Sequence, residues 1–337
     1  MDWFERLTGF RETDYEGTRS RLAVEGDRLR SQVNGASHGI GELELVSLHT
    51  LRERVAAGTG PKGRLAVSTL VGDARRLHQA PEYAGALFQV ASQFNLLEMA
   101  APRLTPEDGV ARYEHDPTQG PACAIAAGAA TIWRNYFVPV AGGAGQTADR
   151  QLDALADLGA ALAEATGRPV GRLWTMRNGY ALCSRDGLAA IAAHLASSSP
   201  ERIDALRGRL RIGVHRDVEV TDAEGPSRPR VSQAFCSALP VAYGEPPAER
   251  WAAFASLVLE AAYEATLLAA VLNARRGGSN AVLLTRLGGG AFGNDAAWID
   301  AALRRALHAA RGFRLDVRLV SPRAPSEAMR RLVGEFG

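Results

Sequence analysis

The chain has 337 residues, 46% hydrophobic and 23% charged, a globular composition that excludes a disordered or fibrous protein. A formal net charge of +2 leaves no strong global field toward nucleic acid or an anionic membrane, so neither is expected as a partner. The three cysteines, Cys123, Cys183 and Cys236, are far apart, odd in number and outside any CxxC or zinc spacing, which fits free thiols in a reducing cytoplasm and gives no metal site.

The opening stretch, MDWFERLTGFRETDY, lacks the basic-then-apolar pattern of a signal peptide. Residues 1–60 read as a polar, N-terminal helical extension, with Leu22, Val24, Leu29 and Val33 on a loose apolar stripe. The Gly/Pro break GTGPKG at 58–63 marks the boundary with a second unit over 61–337. RLAVSTLVGD then predicts a strand ending at Gly72-Asp73. After a short polar turn, GALFQVAS (85–92) predicts a second, more buried strand. A helix is predicted from about Pro121, in QGPACAIAAGAATIWRNYF, and another from an N-cap at Thr147 to Gly167. GRLWTMRNGYALC, GRLRIGVHRDVEV and VSQAFCSALPVAY read as strands.

The most apolar long run, 251–274, is interrupted by Glu260 and Glu264. A charge at a bilayer centre costs about 2.5–3.5 kcal/mol, so the run predicts a buried helix over 248–275 and no membrane span. Strand NAVLLTRL, a glycine loop, a helix over 295–311 and strand FRLDVRLVS close the pattern. Strands alternating with helices predict an α/β fold with a mixed, largely parallel sheet between helical layers.

The glycine loop lies in LLTRLGGGAFGNDAAWI, residues 283–299. Gly288-Gly289-Gly290-Ala291-Phe292-Gly293 fits GxGxxG, yet a dinucleotide fingerprint opens the first βαβ unit, and here one helix and one strand follow. No Gly-Lys-Ser/Thr closes it as a P-loop. The physics common to both motifs still applies. Free backbone N–H groups between a strand end and a helix capped by Asn294 or Asp295 make an anion site, with Phe292 placed to cover a ribose or base. The competing reading is a tight turn with Phe292 packed inward.

Other segments add to this. The strand ending in Gly72-Asp73-Ala74, followed by GALFQVASQFNLLEM, resembles the opening of a macrodomain. LTRLGGGAFGND resembles that family's second phosphate-binding loop, closest to the Gly-Ala-Phe-Gly form of poly(ADP-ribose) glycohydrolase-like members. The resemblance covers about 64–100 and 230–320 and implies a large insert between them, at about 103–230. It implies an ADP-ribose-binding fold in which Asp73, beside Ala74, accepts from the adenine amino group. It also implies that Gly288, Gly289, Gly290, Ala291, Phe292 and Gly293, followed by Asn294, cradle the diphosphate and flank the distal ribose. TQGPACAIAAG (118–128) would replace the family's first glycine-rich loop, with Gln119 and Gly120 at a helix start that presents N–H groups. Asn95 lies near the family's Asn-bearing segment, with Ser92 nearest to the motif's final Asn. The Gly-Gly-Gly-x-x-Glu-Glu signature of the glycohydrolases is absent after the second strand.

Cleavage at the anomeric carbon of ADP-ribose would pass through an oxocarbenium-like state. That chemistry wants a carboxylate for water or charge and a group to protonate the leaving atom. The candidates are Glu98 in NLLEM and Glu114 or Asp116 in YEHDPTQGP, with His115 beside them and Asn95 to orient a ribose hydroxyl. Each also has a structural reading: a helix-dipole acid for Glu98, an Asp-Pro turn for Asp116, a buried cap for Asn95 and a turn residue for Asp73. ATIWRNYF reads as core on one side with Arg134 on the surface, and the arginines of RLRIGVHRD and EGPSRPR as a solvated strand edge and loop. The expected function is an ADP-ribosyl hydrolase that binds ADP-ribose, or an ADP-ribosylated acceptor, at the C-terminal edge of the sheet. Glu98, Asp116 and Asn95 are its expected catalytic residues, with no cofactor. The alternatives are a non-catalytic ADP-ribose-binding module and a phosphatase acting on ADP-ribose phosphate.

Overall fold

Two strands near the sheet centre, Leu87–Ala91 and Ala281–Leu284, are covered on both faces, which is why they read as apolar runs without strict alternation. In the computed structural model, which describes residues 1–59, 62–225 and 228–336, they belong to a seven-stranded sheet. Its strands are β1 (Glu42–Ser47), β2 (Ala66–Val71), β3 (Leu87–Ala91), β4 (Arg211–Glu219), β5 (Arg230–Cys236), β6 (Ala281–Leu284) and β7 (Asp316–Ser321). The order across the sheet is β1-β4-β5-β3-β6-β7-β2. The strands from β5 to β2 run parallel, whereas β4 is antiparallel to both of its neighbours.

Helices cover both faces. On one side α1 (Leu48–Ala57), α5 (Ala252–Arg275), α6 (Ala296–Ala310) and α7 (Glu327–Phe336) pack on Val67, Leu87, Val282, Leu284, Val317 and Leu319. On the other, α2 (Ala74–Gln79), α3 (Gln119–Ala126) and α4 (Gly128–Tyr136) cover Phe88, Val218, Val231 and Leu283. α5 is long and apolar enough to cross a membrane, but most of its apolar window is buried within the fold. Its two glutamates meet arginines of neighbouring helices. Glu264 pairs with Arg52 at 2.6 Å and Arg305 at 2.5 Å, and Glu260 with Arg207 at 2.5 Å.

The N-terminal region departs from its expected helical form. Helices occupy Trp3–Thr8, Tyr15–Arg19 and α1, but between them lie a three-stranded antiparallel meander (Leu22–Glu25, Arg28–Ser31, Ser37–Gly39) and then β1 of the main sheet. The anticipated stripe divides: Leu22 and Leu29 are buried, while Val24 and Val33 are 39% and 53% exposed. A turn overrides the helical period here. Gly26 takes φ +61°, and Glu25 pairs with Arg28 across the two-residue Gly26-Asp27 link. Nor is the region detached. Trp3, Phe4, Phe10 and Tyr15 share a core with Leu97, Met99, Tyr113 and Tyr136. Glu12 accepts from the Val110 and Ala111 amides and the Tyr136 hydroxyl.

The boundary expected at 60–61 lies outside the described residues, as does part of EGPSRPR at 226–227. Within the range expected for an insert, β4 sits in the main sheet between β1 and β5. The anticipated polar turn after Asp73 is α2, and the helix expected from Thr147 begins instead at Ala156, closing at Gly167 with φ +64°. Trp174–Arg177 and Tyr180–Cys183 form a separate hairpin. The helix expected from Pro121 starts at Gln119 and breaks at Ala127 into α3 and α4.

Candidate functional site

The carboxyl ends of β3, β5, β6 and β7 open onto a cavity of about 440 Å³. It is walled by the β6–α6 loop (285–292) on one side and the approach to α3 (116–121) on the other, with Tyr180 and Tyr243 at its margin. In open parallel sheets this edge is where ligands bind.

The β6–α6 loop is held firmly at its ends and left unfilled in its middle. The Tyr263 hydroxyl donates to the Thr285 carbonyl and accepts from the Leu287 amide, both at 2.8 Å. The Gly289, Gly293 and Asn294 amides close turns on Arg286, Gly290 and Gly288. The amides of Gly290, Ala291 and Phe292 meet no protein acceptor among the described residues. Gly288 has φ +74°, and a Cβ there would lie 2.4 Å from that of Ala238, so only glycine serves. At Gly290 a Cβ would meet nothing within 4 Å. Asp295 caps α6, accepting from Ala297, while Asn294 is buried and donates to the Leu239 carbonyl at 2.8 Å. Half-buried Phe292 packs on Tyr180 and Tyr243, with centroids 5.3 and 5.8 Å away, and also lines the cavity.

The opposite wall is closed off. A Cβ at Gly120 would stand 2.0 Å from the Ala91 carbonyl oxygen, so glycine lets α3 press against the end of β3. The Gln119 side chain accepts from the Ala91 amide at 2.9 Å and donates to the Gln89 carbonyl at 2.8 Å, serving β3 as an extra strand partner. Pro121 has no N–H.

Beneath this wall lies a buried ion pair. Glu98 lines the cavity floor, and its carboxylate accepts from Arg134 at 3.1 and 3.3 Å. Arg134 is fully buried, donates to the Leu96 carbonyl at 2.6 Å and stacks over Phe235 at 3.9 Å. The sequence places this arginine on the surface. The structure corrects that, because α4 is packed all round and Glu98 supplies the counter-charge. Burial pushes the Glu98 carboxyl up to about 7, against the opposing pull of the Arg134 guanidinium and the Tyr113 hydroxyl. Half-buried Asp116 also lines the cavity, and its carboxylate accepts from the Thr118 amide at 2.9 Å in an Asp-Pro turn.

The remaining candidates lie elsewhere. Asn95 is buried away from the cavity, donating to Gln151 at 2.9 Å and accepting from the Leu97 amide at 3.1 Å. Asp73 is exposed and caps α2 through the Arg76 amide, outside the cavity lining, although the Gly72 amide donates to the carbonyl of rim residue Ser321. The Ala74 carbonyl is 2.7 Å from His78 Nδ1. Glu114 pairs with Arg6 and accepts from the Trp3 amide, and neither it nor His115 lines the cavity. Gly293, at φ +68°, packs against Ala242 at the loop's foot.

Sequence reasoning missed Tyr180, Tyr243 and Arg286. Tyr180 was signalled by Asn178-Gly179, the two-residue turn of the 174–183 hairpin, whose residues take φ +48° and +78°. The tip of that hairpin is seated on the segment after β3, where the Phe94 amide donates to the Gly179 carbonyl at 3.0 Å. Among the described residues, no group of three His, Cys, Asp or Glu side chains is placed to hold a metal ion.

No protein-family model matches the chain, and no curated protein matches it. Among solved structures it is similar to poly(ADP-ribose) glycohydrolase from Deinococcus radiodurans in complex with ADP-ribose, at 14% identity over 87% of this chain and 94% of that one, with a TM-score of 0.43. It is also similar to the Thermomonospora curvata enzyme, at 15% identity over 92% and 94% of the chains, TM-score 0.44. For that enzyme bound to the inhibitor ADP-HPD, the identity is 15%, the coverage 92% and 93%, and the TM-score 0.40.

Proposed function

We propose that the protein binds ADP-ribose in this cavity and hydrolyses its bond to a protein or other acceptor. The observation that carries the reading is one juxtaposition. Across a cavity of about 440 Å³ at the carboxyl edge of parallel strands, a glycine loop with uncommitted amides at residues 290–292 faces two carboxyl groups of unlike environment. Adjacent free N–H groups on a pliable loop suit a diphosphate. Phe292 then lines the ribose end. A fully buried carboxyl across from a half-buried one suits the division between a proton donor and a charge stabiliser at an oxocarbenium-like centre. Glu98, held near 7, takes the donor role and Asp116, on the rim, the stabilising one.

A second reading has its own support. The Glu98 side chain is fully buried and committed to Arg134, which favours a module that holds ADP-ribose without turning it over. Calorimetric titration of ADP-ribose, run beside an assay for free ADP-ribose released from an ADP-ribosylated protein, separates the two. Binding with release supports the hydrolase, and binding without release supports the module. Absence of binding overturns both.

A further inference from the structure

Of the described residues that line the cavity, Glu98 and Asp116 are acidic and Arg286 alone is basic. Glu98 is already matched from behind by Arg134. A diphosphate entering this space would therefore meet one accessible cation, and that cation is fixed with unusual care. The Arg286 backbone lies between the two groups that Tyr263 binds, the Thr285 carbonyl and the Leu287 amide, and its own carbonyl accepts from Gly289. Its side chain reaches across to α6, where one terminal nitrogen is 2.5 Å from the Asp300 carboxylate and the other 3.4 Å from the Ala296 carbonyl.

Both partners belong to the first turns of α6, the end at which a helix carries partial positive charge and a cation is disfavoured. Asp300 offsets that. A guanidinium has five N–H donors in a fixed fork, so these two contacts leave donors free on a side chain that is 27% exposed. Such donors bind a charged oxygen more tightly than a neutral one.

We infer that Arg286 is the residue by which this cavity selects a diphosphate over an uncharged nucleoside. Asp300 orients the guanidinium, which donates to a phosphate oxygen beside the free amides of residues 290–292. The inference rests on the proposed ADP-ribose reading and adds to it the group that recognises the charge.

The test is calorimetric titration of wild type, Arg286→Gln and Arg286→Lys with ADP-ribose and with adenosine, each at low and high salt. Arg286→Gln is expected to weaken ADP-ribose binding about tenfold to a hundredfold, the range for hydrogen bonds to charged groups. It should leave adenosine binding unchanged and flatten the salt dependence of ADP-ribose binding. Arg286→Lys, which keeps the charge without the fork, should fall between and retain the salt dependence. Equal ADP-ribose affinity and equal salt dependence in Arg286→Gln would overturn the inference while leaving the proposed function in place. Equal losses for both ligands would overturn it too, because the residue would then act through the fold. Failure of wild type to bind ADP-ribose would overturn the proposed function itself, and this inference with it.

Discussion

The two walls of the cavity are made of similar material and finished in opposite ways. Each stands at the carboxyl edge of the parallel sheet, each uses glycine, and each leads into a helix. In the β6–α6 loop Gly290 stands in open space, and the amides of residues 290–292 stay uncommitted. At the start of α3 the glycine removes space, and the adjacent glutamine gives its polar atoms to the edge of β3. The Gln119 and Gly120 amides also meet no protein acceptor among the described residues, so the two glycine-rich helix starts differ in the space beside the backbone, open at Gly290 and filled at Gly120.

The sharpest way to break this contrast is beneath the closed wall. Glu98→Ala leaves Arg134 as an unpaired buried charge and is expected to lower stability by about 3–5 kcal/mol in denaturant unfolding. Glu98→Gln gives a finer test through pH. Burial raises this carboxyl in the folded state above its ordinary value of 4.5, to about 7. Its contribution is therefore fully present below the unfolded-state value and is lost as pH rises through about 7. Wild type should lose stability relative to Glu98→Gln across that window. Turnover that uses Glu98 as a proton donor should fall over the same range. Parallel stability curves for the two proteins would show that the carboxyl is not raised at all.

A paired substitution tests the walls directly. Gly120→Ala drives a methyl group into the Ala91 carbonyl, and overpacking of this kind costs about 1–3 kcal/mol, here at the upper end because backbone stands in the way. Gly290→Ala meets nothing, and its stability should stay within about 0.5 kcal/mol of wild type, as for an ordinary surface change. The ligand response should invert. Gly290→Ala places a methyl beside the free amides and should weaken ADP-ribose binding in calorimetry, whereas whatever Gly120→Ala protein remains folded should bind more nearly as wild type does.

The open wall was legible in the sequence and the closed one was not, for a physical reason. Gly288 to Gly293 signal a loop by themselves, since left-handed backbone and free amides are local properties. The role of Gln119 depends on Gln89 and Ala91, some thirty positions earlier, and that of Arg134 on Glu98, so neither can be read from its own neighbourhood. The main sheet was readable from its apolar runs because burial on both faces leaves that mark. The N-terminal meander was misread because two residues, Gly26 and Asp27, decide it against a helical period that spans many. Arg286 stood one residue before Leu287 and the glycines, yet nothing local distinguished it from any other arginine in an arginine-rich chain.

The smallest effect bears on the strand-end acid that the macrodomain resemblance singles out. Asp73 caps α2 through the Arg76 amide and lies outside the cavity lining. Loss of an N-cap costs about 1 kcal/mol, so Asp73→Ala should shift the unfolding midpoint slightly. If the cap is its whole role, ADP-ribose affinity is unchanged, and Asp73→Asn or Asp73→Ser, which also cap, restore the stability. If Asp73 instead accepts from the adenine amino group, affinity falls in Asp73→Ala and Asp73→Ser alike while stability recovers only in the latter. The separation of the two readouts decides the matter: cap strength tracks the midpoint, and base recognition tracks the preference for ADP-ribose over its hypoxanthine analogue, which lacks the amino group.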